Sequence, residues 1–151
     1  MPIAFTKVAL PFGWLGNMSP FPVTHQGKLY RTTEALFQAM RFEDEEISEA
    51  IRLTKSPMTA KMIAKKNKTL MTVKPVSNQD IDNMKICLRL KVKQHPHLKE
   101  WLIETGDEEI IEDTSARAVH SPWGAKLRRD GTWNGDNILG RLWMELRDEL
   151  R

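Results

Sequence analysis

The sequence predicts an α+β fold that is mostly α-helical, with a few short β-strands near the N-terminus. Three observations carry this expectation. Residues 1–31 hold four prolines and three glycines between short apolar stretches, a pattern of brief strands and turns. From Thr32 onward, apolar residues recur at spacings of three and four behind recognisable helix-start signals. Ile138, Leu139, Leu142, Trp143, Leu146 and Leu150 then close the chain with the same helical spacing.

Taken in order, Val23 to Tyr30 around Gln26-Gly27 is expected to form a hairpin. Thr32 and Thr33 cap a helix from about Glu34 to Phe42, with Leu36, Phe37 and Met40 on its buried side. Glu34, Gln38 and Arg41 follow one another at four and three residues, so they share the other edge. A short helix holds Ile47, Ala50, Ile51 and Leu53. Ser56-Pro57 opens another, because serine caps and proline fits the first helical position, and this basic helix runs to about Lys66. Ser77 opens a longer one carrying Ile81, Met84, Leu88 and Val92, and Pro96 starts the next, with Leu98, Trp101 and Leu102 before a terminating Gly106. Glu109 to Glu112 reads as a short strand. Residues 113–137 form the longest irregular segment, of the kind that often carries function.

Bulk properties narrow the classes. With 151 residues, 40% of them hydrophobic and 28% charged, the chain is expected to fold as one domain over residues 1–151. The formal charge of +3 suits an anionic ligand without demanding one. One cysteine, Cys87, excludes an internal disulfide and a cysteine-based zinc cluster, and the four histidines lack ligand spacing, so no metal site is expected. The first residues lack a basic-then-apolar leader, and no run approaches the ~18 apolar residues of a membrane span. The expectation is a cytoplasmic protein without a membrane partner.

Several segments together resemble the NADAR (YbiA-like) family. Leu15-Gly16-Asn17-Met18-Ser19-Pro20 is similar to its "SNFSP" element, and Thr33-Glu34-Ala35-Leu36-Phe37-Gln38-Ala39 to its "T-x-E-H-x-x-Q-A" helix. Arg41-Phe42, Ser56-Pro57 with Ala60-Lys61, and Leu88 to Leu98 follow in the family's order. Trp123-Gly124 and Gly135-x-Asn137-x-Leu139-Gly140 complete a match along nearly the whole chain. The resemblance implies one compact, helix-rich NADAR domain and a pocket for ribose joined to a base or to ADP. It also implies N-glycosidase chemistry, either on ribosylated pyrimidine intermediates of riboflavin synthesis or in removing ADP-ribose from guanine. Three positions depart from the pattern: Ala35 replaces a histidine, His120 stands where an aspartate precedes the Trp-Gly pair, and Lys91-Val92 replaces Lys-Phe.

Cleaving an N-glycosidic bond builds positive charge on ribose, which a carboxylate stabilises while another group assists the leaving base. Glu34 is the expected carboxylate, with helix stabilisation as its alternative role. His120 is the candidate acid–base group, since imidazole titrates near neutral pH. Asn17 and Gln38 are candidates for ribose or base contacts, and Arg41 and Lys61 for phosphate. Trp123, followed by Gly124, stands in the long loop either to stack on a base or to anchor the loop. Asn137 or Asp136 caps the last helix, whose start is also a candidate phosphate site. No cofactor is implied. The partner is expected to be a small nucleotide or ADP-ribosylated substrate, including an ADP-ribosylated nucleic acid. Two rivals stand beside the hydrolase: a non-catalytic nucleotide-binding module, favoured by Ala35 and His120, and a nucleic-acid binder using Lys61 to Lys68 with Lys85, Arg89, Lys91 and Lys93.

Overall fold

A computed structural model describes all residues, 1–151. Its elements in order are β1 (Ile3–Phe5), β2 (Val23–His25), β3 (Lys28–Tyr30), α1 (Thr33–Ala39), α2 (Glu45–Arg52), α3 (Pro57–Lys66), α4 (Asn78–Gln94), α5 (Pro96–Glu104), β4 (Ile110–Glu112), β5 (Lys126–Leu127), β6 (Trp133–Asn134) and α6 (Ile138–Leu150). No helix is long and apolar enough to cross a membrane. The chain divides into two compact units, residues 17–96 and residues 1–16 with 97–151.

In the 17–96 unit, β2 and β3 pair antiparallel, and Gln26 and Gly27 take the positive φ angles that a two-residue hairpin turn requires. Three helix starts are capped by side chains, those at Thr32 and Ser56 as their sequences foretell. Thr32, Asp44 and Ser56 each stand in extended backbone and accept a backbone N–H from the first turn of α1, α2 and α3. Ser77 does the same for α4 by accepting from Asp80. Helix α1 is buried on every side, including Glu34 and Gln38, and it packs on α2, α3 and α4. It ends at Ala39, three residues short of Phe42. Leu53, expected within this helix, stands at its C-cap as an exposed residue.

Lys91 departs most from expectation. It is fully buried on α4 rather than part of a basic face. Its Nζ donates to Ser19 Oγ at 2.8 Å and lies 5.4 Å from the centre of the Phe21 ring.

In the other unit, β1 pairs parallel with β4, more than a hundred residues later, and α6 packs on β4. Trp143 on α6 is wholly buried and donates through Nε1 to the Leu15 carbonyl, 2.9 Å away. Trp14, also buried, meets Trp143 and Trp101 edge-on at 6.1 and 5.7 Å, which makes it a packing residue. Trp101, expected in the core, is 41% exposed. The segment 113–137 is less irregular than expected: β5 and β6 form a short antiparallel hairpin, and Asp113 bridges Ala125 in parallel. Three of the six strands thus lie in the second half of the chain.

Candidate active site

The site begins at the start of α1. Asn17 braces that start: its carbonyl accepts from the Glu34 N–H at 3.0 Å, and its Oδ1 accepts from Thr33 Oγ1 at 2.8 Å. Its Nδ2 points at the Met84 sulfur on α4, 3.2 Å away. Both ends of the Asn17 side chain thus have partners within the protein, and they tie it to the start of α1.

From Glu34, a line of polar side chains runs along one buried edge of α1. Gln38 Nε2 donates to Glu34 Oε1 at 3.0 Å. Arg41 Nη1 donates to Gln38 Oε1 at 3.2 Å, and its Nε and Nη2 form a fork on Asp80 at 2.9 and 2.7 Å. The guanidinium lies over the Phe37 ring, 4.4 Å from its centre. The four- and three-residue spacing seen in the sequence thus becomes a connected chain: helical geometry stacks Gln38 on Glu34, and the turn after α1 brings Arg41 to the same side.

Gln38 and Arg41 also line a pocket of about 630 Å³ with Lys61, Lys65, Lys68 and Lys74, closed by Ala64 and the stretch Met71 to Pro75. Arg41 holds that stretch, since its carbonyl accepts from the Thr72 N–H at 2.8 Å. The ionisable side chains lining the pocket are all cationic, so it is suited to an anion such as phosphate. Sequence reasoning singled out Arg41 and Lys61 for this chemistry. Lys65 and Lys68 follow Lys61 at four and three residues, a spacing that would have found them. Nothing in the linear sequence ties Asp80 to Arg41.

The remaining candidates lie in the other unit. His120 is exposed. The backbone of 122–124 clamps the start of α6: the N–H groups of Asn137, Ile138 and Leu139 donate to the carbonyls of Gly124, Pro122 and Trp123 at 3.0 to 3.1 Å. Those N–H groups are consequently satisfied by protein, which removes the phosphate site expected at this helix start. Asn137 does not cap the helix through its side chain. It adopts left-handed backbone (φ 51°), and its amide donates to Ile110 O at 2.8 Å while its Oδ1 accepts from Glu112 N at 3.0 Å. Gly124 is buried where a Cβ would stand 2.4 Å from Thr114 Cγ2, so only glycine fits. Trp123 is half-buried. No group of three or more His, Cys, Asp or Glu side chains is placed to hold a metal ion.

Comparison with known proteins concerns the chain as a whole. The NADAR domain model matches residues 4–151. The N-glycosidase YbiA of Shigella boydii is 33% identical over 148 residues, covering 98% of this chain and 88% of that protein. An N-glycosidase of Nostoc punctiforme is 28% identical over 157 residues, with coverage of 100% and 94%. The solution structure of Escherichia coli YbiA superposes with a TM-score of 0.80 at 31% identity, over 99% of this chain and 86% of that one.

Proposed function

Because the chain belongs to the NADAR domain family, we propose that it is an N-glycosidase, hydrolysing the bond between a base or amine and ribose or ADP-ribose in a nucleotide-like substrate. The observation that carries this reading is the buried Glu34 carboxylate, joined through Gln38 to the wall of a cationic pocket. Similarity to proteins named N-glycosidase over nearly their whole length supports the same reaction class.

In the reaction, the C1′–N bond breaks and its electron pair leaves with the nitrogen. Positive charge grows on the ribose C1′ and ring oxygen, where a nearby carboxylate stabilises it. Water then supplies hydroxyl to C1′ and a proton to the departing nitrogen, so the balance is that of simple hydrolysis. Glu34 is the proposed carboxylate, stabilising the charge and accepting a hydrogen bond from the attacking water. The lysines with Arg41 hold the substrate's phosphate, fixing the sugar relative to Glu34. Gln38 lies between the two functions, lining the pocket and bonding the carboxylate.

The test is product release by the purified protein and its Glu34→Gln variant. The panel is NAD, ADP-ribose, ribosylaminopyrimidine phosphates, and ADP-ribosylated guanine as nucleotide and in DNA, read by mass spectrometry. Wild type is expected to free a base or ADP-ribose, and Glu34→Gln to lose about 10²–10⁴-fold in rate. Equal rates in both proteins remove Glu34 from the mechanism. Binding without turnover supports instead the non-catalytic nucleotide-binding module, the reading favoured by Ala35 and His120.

A further inference from the structure

A carboxylate that must stay ionised against a developing cation needs a defined hydrogen-bond environment, and the line of side chains on α1 supplies one with a fixed direction. Its far end is Asp80, which is wholly buried in the first turn of α4. Asp80 accepts three hydrogen bonds: two from the Arg41 fork and one from the Val76 N–H at 2.8 Å. A guanidinium carries donors only, so Arg41 must present another N–H to Gln38 Oε1. That settles the orientation of the Gln38 amide. The opposite orientation would set its NH2 against the guanidinium and its oxygen against the Glu34 carboxylate, two repulsive contacts. Nε2 therefore faces Glu34, and Glu34 Oε1 can only accept. The Phe37 ring beneath Arg41 and the burial of every member leave the chain little room to rearrange. Glu34 Oε2 takes no hydrogen bond from the protein and is left for water or substrate.

We propose that Asp80 is a positioning residue for the reaction, acting through Arg41 and Gln38 to hold Glu34 as an oriented acceptor. The inference rests on the N-glycosidase reading above. Asp80 touches no substrate; it sets the direction of the bonds that reach Glu34.

The experiment compares wild type with Asp80→Asn, which keeps the side-chain volume but turns one acceptor of the fork into a donor. Two readouts are taken: steady-state kinetics on whichever panel substrate wild type cleaves, and the side-chain amide signals of Gln38 in 15N-labelled protein, assigned by their loss in Gln38→Glu. The expected result is kcat lower by about 100-fold, as displacement of a reacting group by about 1 Å costs, with KM within about threefold because the lysines remain. The Gln38 signals are expected to move and to exchange faster with water. A folded Asp80→Asn protein with wild-type kcat, or with unmoved Gln38 signals, overturns the proposal. Should wild type cleave nothing in the panel, the glycosidase reading fails by itself, and the amide signals still decide whether Asp80 positions Gln38. If Asp80→Asn does not fold, Arg41→Lys serves instead, read by the Gln38 amide signals alone, because Arg41 also lines the phosphate pocket; unmoved signals there overturn the proposal.

Discussion

Two arginine–carboxylate forks in this protein have nearly the same geometry and opposite surroundings. Arg41 meets Asp80 at 2.9 and 2.7 Å; Arg52 meets Glu49 at 2.6 Å through both Nε and Nη2. By distance alone, the second is the tighter. Yet the Asp80 side chain is wholly buried and Glu49 is 36% exposed. Hydrogen bonding to Arg52 holds the Glu49 carboxyl down to about 2, so solution titration would flag that pair first. The difference teaches that the worth of an ion pair is set by what happens when it is broken. Water replaces the partner of Glu49, whereas nothing replaces the partner of Asp80.

The largest effect expected from this contrast comes from Arg41→Met. It leaves a buried Asp80 carboxyl with the Val76 N–H as its only remaining bond, and the expected loss is about 3–5 kcal/mol in urea unfolding. The double variant Arg41→Met with Asp80→Leu removes both charges and is expected to recover most of that loss. If single and double variants are equally destabilised, uncompensated burial is not what makes the pair matter.

The next effect is read along the pH axis, and it extends the contrast to a buried cation. Burial pushes the Lys91 ammonium down to about 7. The Cys87 thiol is itself pushed well up by burial and then by the Glu34 charge, so it keeps its proton over this range. With the folded value depressed, the unfolded chain binds more protons between pH 7 and the ordinary lysine value, and stability must rise with pH across that window. Below pH 7 both states are protonated, and the full penalty of the buried charge is present. Lys91→Met is expected to flatten this rise between pH 7 and 9.5 in urea titrations. An unchanged slope would assign it to other groups.

A third, smaller effect involves no charge. Gly124→Ala would bring a methyl to 2.4 Å from Thr114 Cγ2 and 2.6 Å from the Glu112 carbonyl, at an expected cost of about 1–3 kcal/mol. It would also loosen the carbonyls that hold the α6 start. A neutral outcome in thermal melting would mean that the 112–125 backbone yields easily.

What the sequence revealed was mostly local. The Gln26-Gly27 turn, the caps at Thr32, Ser56 and Ser77, and the edge shared by Glu34, Gln38 and Arg41 all depend on residues within one turn or hairpin. The site was legible as far as that edge and Lys61. Partners distant in sequence were not legible: Arg41 with Asp80, Lys91 with Ser19, and β1 with β4 join segments 39, 72 and 107 residues apart. Lys91 misled because lysines at neighbouring positions read as a solvated face, while burial is decided by what the other elements bring to it. Trp101 misled in the opposite sense, having helical spacing with Leu98 and Leu102 but an exposed ring. Asn137 stands where a cap is expected, yet its amide serves the β4 backbone instead.

The smallest expected effect is the most pointed test of the comparison. Glu49→Gln removes the carboxylate from the shorter fork, and from Lys28 at 3.5 Å as well. Because the folded value is depressed, any stabilisation from Glu49 is present above its ordinary value and is lost as pH falls toward 2. The pair is partly exposed and spaced three residues apart on α2, so salt screens it and water competes for both partners. The urea midpoint of Glu49→Gln at neutral pH and physiological salt is therefore expected to match wild type within error. A small loss should emerge at low ionic strength and vanish again at pH 2. A loss as large as that of Arg41→Met, unaffected by salt, would mean that distance rather than burial ranks these two pairs.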